Sequence, residues 1–76
     1  PQARKSLLKQ NPRIGVDSRI MGGAPTIKGT RIPVVLILEM LEGGNSFADI
    51  RRQYPSLADL DIQAAIHFSS SALALR

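Results

Sequence analysis

The sequence predicts a mainly α fold, a three-helix helix-turn-helix domain preceded by a short N-terminal β-hairpin. Three successive segments after Pro33 carry apolar residues at helical spacing, and Gly43-Gly44 and Pro55, which are typical helix stops, separate them. Before Pro33 there is no helical period, and short alternating stretches are interrupted by glycine clusters. An apolar helix followed by a short helix, a brief break and a longer helix is the layout of a helix-turn-helix domain.

The chain has 76 residues, which is room for one domain. Residues 1–12 are polar and basic and end at Pro12, so we expect an arm or a short frayed helix before the domain. The predicted domain covers residues 13–76. Ile14 and Val16 alternate with their neighbours, and turn clusters at residues 21–25 and at Gly29 predict a hairpin over residues 13–32.

The helices of the domain are expected at about residues 33–42, 46–54 and 57–75. The first is apolar nearly all round, which predicts that it is central and buried. Ser46 followed by Asp49 has the spacing of a capping box and predicts the start of the second helix. That helix is expected to end at about Tyr54, because the residue before a proline disfavours helical geometry.

The third helix begins with acidic residues and continues with an apolar stripe. Asp59 and Asp61 fall in its first turn, where carboxylates stabilise the helix dipole. Carboxylates beside phosphates would oppose DNA binding, so we interpret both as dipole partners and not as base-contacting residues. At helical spacing the helix carries one stripe of Ile62, Ala65, Ile66, Ser69 and Leu73, and Leu60, Ala64 and Phe68 lie beside that stripe.

The composition argues against catalysis and against a bound cofactor. The chain has no cysteine and a single histidine, His67, so it offers no disulfide, thiolate metal site or multi-histidine metal site of its own. General acid–base chemistry needs positioned partners in a cleft, whereas the carboxylates here are scattered along the sequence. We therefore expect neither an enzyme nor a cofactor, and we interpret His67 as a helix-surface or dimer-contact residue and not as a proton shuttle.

The apolar segments are too short for a membrane protein. The longest apolar run is Val34 to Leu38, whereas a membrane-spanning helix needs roughly 20 residues. The basic N-terminus has no apolar stretch of the kind found in signal peptides. We therefore expect a cytoplasmic protein without a membrane partner.

Positive charge is concentrated in the first part of the chain. Residues 1–31 hold seven Lys and Arg against one Asp, whereas residues 32–76 hold three Arg against five Asp and Glu. A basic segment of this kind suits contact with the phosphate backbone of DNA, although a solvated, solubilising surface has the same composition. Aromatic residues are few, which argues against a surface that stacks single-stranded bases.

The candidate DNA-binding residues combine backbone contacts with one base contact. Arg51 and Arg52 lie on the outer face of the first helix of the pair, where that helix crosses the DNA backbone. Gln63, on the second helix of the pair, has an amide that can bond bidentately to adenine. The full candidate set is Arg13, Arg19, Lys28, Arg31, Arg51, Arg52 and Gln63.

Two residues of the predicted hairpin leave more than one interpretation open. Lys28 and Arg31 suit contacts with phosphates or with the carboxylates of a partner protein. Arg31 could equally be buried and connect the hairpin to Glu39 or Glu42 of the first helix. Gly22, Gly23 and Gly29 are interpreted as turn residues, because the spacing of a nucleotide-binding loop is absent.

Residues from about Arg13 to Phe68 resemble a small prokaryotic family known as domain of unknown function 433. The resemblance rests on Ile20-Met-Gly-Gly-Ala-Pro25, Ile27-Lys-Gly-Thr-Arg-Ile-Pro-Val34, Ser46 to Arg51, Tyr54-Pro-Ser-Leu57 and Asp61-Ile-Gln-Ala-Ala65. It implies a hairpin-bearing helix-turn-helix fold. It also implies the VapB-like antitoxin of a toxin–antitoxin pair, which neutralises a PIN-like ribonuclease toxin and represses the shared operon.

Two functional hypotheses follow. The first is an antitoxin-type, homodimeric repressor that binds operator DNA and a cognate PIN-like toxin. The alternative is a protein-interaction or oligomerisation module without a DNA-binding role, because the third helix begins acidic and Ile66, Ala72, Leu73 and Leu75 could continue an apolar strip outside the core.

Overall fold

The chain folds as a helical domain with one small hairpin. A computed structural model describes residues 8–74, with side chains described through Leu73. After a helical turn at residues 8–10, the elements are β1 (Ile14–Gly15), a 3-10 turn (Met21–Gly23), β2 (Thr26–Ile27), α1 (Val34–Glu42), α2 (Phe47–Gln53) and α3 (Asp59–Ala74). The predicted mainly helical composition with a preceding hairpin is confirmed. Residues 1–7 of the predicted arm and the end of the third helix at Leu75 lie outside the described residues.

The hairpin has the very short strands that the glycine-interrupted sequence predicts, and two isoleucines hold it against the core. β1 and β2 are antiparallel, with Ile14 opposite Ile27 and Gly15 opposite Thr26. Ile14 and Ile27 are both buried, which gives this marginal two-stranded sheet the packing that it needs. Beyond β2 the chain turns at Gly29, whose φ of 82° favours glycine, and returns so that the Ile27 N–H donates to the Ile32 carbonyl at 3.0 Å.

The first helix, which was predicted to be central and buried, is buried on one side only. α1 packs against α2 and α3, and it buries only Val34 and Ile37. Val35, on the opposite side, is 58% exposed. An apolar helix can bury only the faces that other elements cover, and α1 lies at the side of a domain too small to surround it. Gly43 and Gly44 end this helix as the sequence predicts.

The predicted start of the second helix is confirmed in detail. The Ser46 hydroxyl accepts a hydrogen bond from the Asp49 N–H at 3.1 Å, and the Asp49 carboxylate accepts one from the Ser46 N–H at 2.9 Å. This reciprocal capping box satisfies two N–H groups that have no partner within the helix. α2 ends at Gln53, with Tyr54 as its C-terminal cap, directly before Pro55.

The core lies where the hairpin and the three helices meet. Its buried apolar side chains are Ile14, Ile27, Val34, Ile37, Ile50, Leu57, Ile62, Ala65 and Phe68. α3 supplies the last three at spacings of three residues, so its buried stripe is rotated from the predicted one. Ile66 and Leu73 are 41% and 63% exposed, whereas Phe68, which lies beside the predicted stripe, is buried.

Candidate nucleic-acid interface

Four of the six predicted cationic residues form ion pairs with aspartates. The pairs are Arg13 with Asp61, Arg19 with Asp17, Arg51 with Asp59, and Arg52 with Asp49. The sequence interpretation treated these arginines as free to contact phosphates and did not assign them carboxylate partners. Spacing indicates one pair in advance, because Asp49 and Arg52 are three residues apart on one helix. Two of the other pairs, Arg13 with Asp61 and Arg51 with Asp59, join different segments of the chain and depend on the tertiary fold.

Arg13 connects the entry of the hairpin to the start of α3. Its Nη1 donates to Oδ1 of Asp61 at 2.9 Å, and the Asp61 side chain is only 13% exposed. The second oxygen of Asp61, Oδ2, accepts a hydrogen bond from the N–H of Ala58 at 2.8 Å, just before the helix begins. One carboxylate therefore satisfies a helix N-terminus and an arginine together, which gives Arg13 a structural role.

Arg51 and Arg52 are held within the α2–α3 pair. The Arg51 Nε lies 2.8 Å from Oδ1 of Asp59, and these side chains are 45% and 53% exposed. Arg52 pairs with Asp49 on the same helix. The hydrogen bond from the Ser46 N–H, with smaller contributions from the Ser46 hydroxyl and Arg52, holds the pKa of Asp49 below its usual value. Both arginines thus face a carboxylate at the surface where they were predicted to meet DNA.

Arg19 forms a two-pronged contact with Asp17 in the loop after β1. Its Nε and Nη2 donate to the two carboxylate oxygens at 3.0 and 2.9 Å. This side-chain bond lowers the pKa of Asp17, and the backbone N–H of Arg19 lowers it further. The Arg19 side chain is 85% exposed, so the pair is local and solvated.

Lys28 and Arg31 are the predicted cations that keep their charge available to a partner. They flank Gly29 and Thr30 in the turn after β2, and we call residues 28–31 the cationic turn. Both side chains are exposed, and within residues 8–74 neither has a carboxylate at ion-pair distance. The alternative in which a buried Arg31 connects to Glu39 or Glu42 is therefore wrong. The bond from the Thr30 hydroxyl to the Ile27 carbonyl, at 2.7 Å, shapes the turn.

A shallow cleft beside α3 brings two candidate residues together. Its volume is about 290 Å³, and Arg13 and Gln63 both line it. His67 and the half-exposed Leu60 lie in the same cleft, and the segment from Gln10 to Pro12 forms its other wall. Gln63 is exposed, so its amide is accessible from this side of α3.

The described residues contain neither a candidate metal site nor a membrane-spanning helix. Within residues 8–74, no three His, Cys, Asp or Glu side chains come close enough together to hold a metal ion. In the same range, no helix combines the length and apolar character required to cross a membrane.

The chain is similar to proteins whose function is not described. No curated protein matches it. A DUF433 member protein from Anabaena variabilis has a crystal structure that matches with a TM-score of 0.75 and 28% sequence identity, covering 91% of this chain and 68% of that one. The family model described as "Protein of unknown function (DUF433)" matches residues 14–69, which include the hairpin, α1, α2 and most of α3. With well over half of its length matched, this chain belongs to the DUF433 family.

Proposed function

We propose that this protein is a DNA-binding antitoxin that represses its own operon and neutralises a PIN-like ribonuclease toxin. The observation that carries the DNA-binding part is the cationic turn. Lys28 and Arg31 are exposed, lack ion-pair partners among the described residues, and lie three positions apart on a turn anchored to the core by Ile27. Two exposed cations on one turn suit the phosphate backbone.

In this proposal α2 and α3 act as a helix-turn-helix pair. α2 and α3 pack together and are joined by a break of five residues, from Tyr54 to Ala58. α3 would present Gln63 to base edges in the major groove. The cationic turn would supply most of the affinity, because Arg51 and Arg52 are already paired with carboxylates. A homodimer would place two such units on a palindromic operator.

The DNA-binding proposal is tested with the duplex upstream of the protein's own gene. We expect binding that weakens steeply with salt, with a slope of log K on log salt near −0.9 for each phosphate contacted. Lys28→Gln with Arg31→Gln should lower that slope by about 2 and weaken binding strongly. Arg19→Gln removes another exposed cation, one that is paired with Asp17, and it should change binding less.

The outcome that would contradict this proposal is direct. A folded wild-type chain that shows no retardation of the duplex at low salt does not act through DNA. The single variants Lys28→Gln and Arg31→Gln should each lose more DNA affinity than Arg19→Gln. Equal losses of affinity in all three would indicate a general effect of charge and not a contact surface.

A second candidate function, a protein-interaction module, is favoured by the surface of α3. Ile66 and Leu73 lie two helical turns apart and are exposed, and residues 62–75 contain no Asp, Glu, Lys or Arg. An apolar groove of about 380 Å³ is lined by Leu38, Phe68, Ser69, Ala72 and Leu73. Uncharged exposed apolar surface is typical of contacts with another protein chain.

The two functions separate in a co-purification experiment with the product of the neighbouring gene. A stoichiometric complex that inhibits a nuclease supports the antitoxin proposal. A complex that forms while operator binding is absent supports the interaction module alone. No association at micromolar concentration contradicts the toxin-neutralising part of both.

A further inference from the structure

The α2–α3 pair contains three aspartates that each engage an arginine, and these three carboxylates are not equivalent. Asp61 is largely buried and also accepts the N–H of Ala58, so it stabilises the start of α3. Asp49 belongs to the capping box of α2. Asp59 makes no helix-capping bond, and the contact of its carboxylate is the ion pair with Arg51.

The Asp59–Arg51 pair lies on the accessible surface of the helix pair. The Arg51 Nε lies 2.8 Å from Oδ1 of Asp59, and both side chains are about half exposed. An exposed pair of this kind contributes little to folding stability. It does, however, place a negative charge beside the guanidinium, at the position that a phosphate oxygen would approach.

We propose that Asp59 is a specificity-determining residue, whose carboxylate competes with nucleic-acid phosphates for the guanidinium of Arg51. Because the Asp59 carboxylate belongs to the protein itself, it competes in every encounter with DNA, whatever the DNA sequence. Arg51 then contributes only where a docked phosphate displaces Asp59. The pair therefore suppresses indiscriminate binding to the phosphate backbone. This inference rests on the proposed DNA-binding function.

The test compares Asp59→Asn with a variant of equal charge change. Glu42→Gln removes one exposed carboxylate at the end of α1 that has no ion pair in the described structure. The probe is a short random-sequence DNA duplex at low salt, and the readout is the dissociation constant from fluorescence anisotropy. We expect Asp59→Asn to tighten binding roughly 3- to 5-fold beyond the effect of Glu42→Gln, which corresponds to an exposed pair.

The tighter DNA binding of Asp59→Asn must depend on Arg51. In an Arg51→Gln background, the extra effect of Asp59→Asn should disappear, because no guanidinium remains to be released. A readout without DNA checks the pair itself. The NMR resonance of the Arg51 Nε should shift between the wild type and Asp59→Asn, because a carboxylate oxygen lies 2.8 Å from that atom in the wild type. Melting curves of all variants establish that each is folded.

The outcomes separate this inference from the proposed function. If the wild type binds the duplex and Asp59→Asn behaves like Glu42→Gln, the competition by Asp59 is overturned and the DNA-binding proposal stands. An excess that persists with Arg51→Gln overturns it too. If neither the wild type nor Asp59→Asn binds the duplex, the DNA-binding proposal fails and this inference fails with it.

Discussion

Single aspartates decide what the arginines of this chain can do. Arg13 was a candidate DNA contact, yet it is bound to the nearly buried Asp61. Arg51 and Arg52 also have carboxylate partners, whereas Lys28 and Arg31 have none at ion-pair distance in the described structure. Two residues of the same charge thus differ in role because of the side chain that lies beside them.

The Asp61 carboxylate should matter for stability far more than its neighbour in the same helical turn. Asp61→Ala removes an ion pair and leaves the Ala58 N–H without its acceptor, so we expect a loss of about 2 kcal/mol in the free energy of unfolding. Asp59→Ala, the matched control, removes an exposed pair and one favourable charge at the helix N-terminus, and it should cost about 1 kcal/mol or less. Urea denaturation measures both, and equal losses would contradict the structural role of Asp61.

The stability of the fold should decrease in acid. The pKa values of Asp17 and Asp49 are both lowered from 3.8 in the folded chain, mainly by hydrogen bonds from Arg19 and from the Ser46 N–H, respectively. A carboxyl with a lowered folded pKa stabilises the fold above its unfolded pKa, and this contribution is lost as the pH falls through the folded value.

Asp49→Asn tests this sign. The variant should be less stable than the wild type near pH 7, and the difference should shrink as the pH drops below about 4. Urea midpoints across this range measure the effect. A difference between the two proteins that is independent of pH would contradict a contribution from the ionised Asp49.

At the scale of elements, the helix termini follow local sequence and the helix faces do not. Ser46 and Asp49 form the predicted capping box, and Gly44 adopts the positive φ that ends a helix, at 93°. The exposed and buried faces of α1 and α3 do not follow the local pattern, since Val35 of the apolar α1 is exposed and α3 buries Phe68 from beside the predicted stripe. A cap involves residues three positions apart, whereas burial of a face requires a second element to cover it.

The capping box gives a prediction at this scale. Ser46→Ala removes the acceptor for the Asp49 N–H and should destabilise the protein by about 1 kcal/mol. Ser46→Gly should destabilise the protein by only roughly a few tenths of a kcal/mol, since glycine is tolerated at this position. Ser70→Ala, at an exposed site within α3, is the control and should leave the thermal midpoint nearly unchanged.

On the scale of the whole molecule, three isoleucines join the helices into one core. Ile37 on α1, Ile50 on α2 and Ile62 on α3 are each fully buried at 0% exposure. A domain of this size has a total stability of only roughly 4–11 kcal/mol. The loss of one core side chain therefore removes a large part of the total stability, and a truncation at this junction affects all three helices together.

Ile62→Ala is the corresponding experiment. We expect it to lower the free energy of unfolding by about 2–5 kcal/mol, because it leaves a cavity where the three helices meet. Ile62→Val should cost about 0.5–1.5 kcal/mol. Leu60→Ala, two residues earlier and 56% exposed, should have a much smaller effect. Similar losses at residues 60 and 62 in urea denaturation would show that the core lies elsewhere.

Much of this protein follows from its sequence alone. The hairpin before Pro33, the order of three helices, the capping box at Ser46 and the excess of positive charge before residue 32 are readable because each depends on near neighbours or on composition. The cationic turn belongs to this group, since the Lys28 to Arg31 segment was identified as a candidate from its charge and its glycine.

Only the tertiary structure decided which charges remain available and which apolar faces are covered. Arg13 and Asp61 are 48 residues apart in sequence and 2.9 Å apart in the fold, and no local pattern predicts such a pair. The same holds for Arg51 with Asp59 and for the exposure of Val35 and Leu73. Coulombic attraction and burial depend on distance in space, which the chain acquires only when its elements pack together.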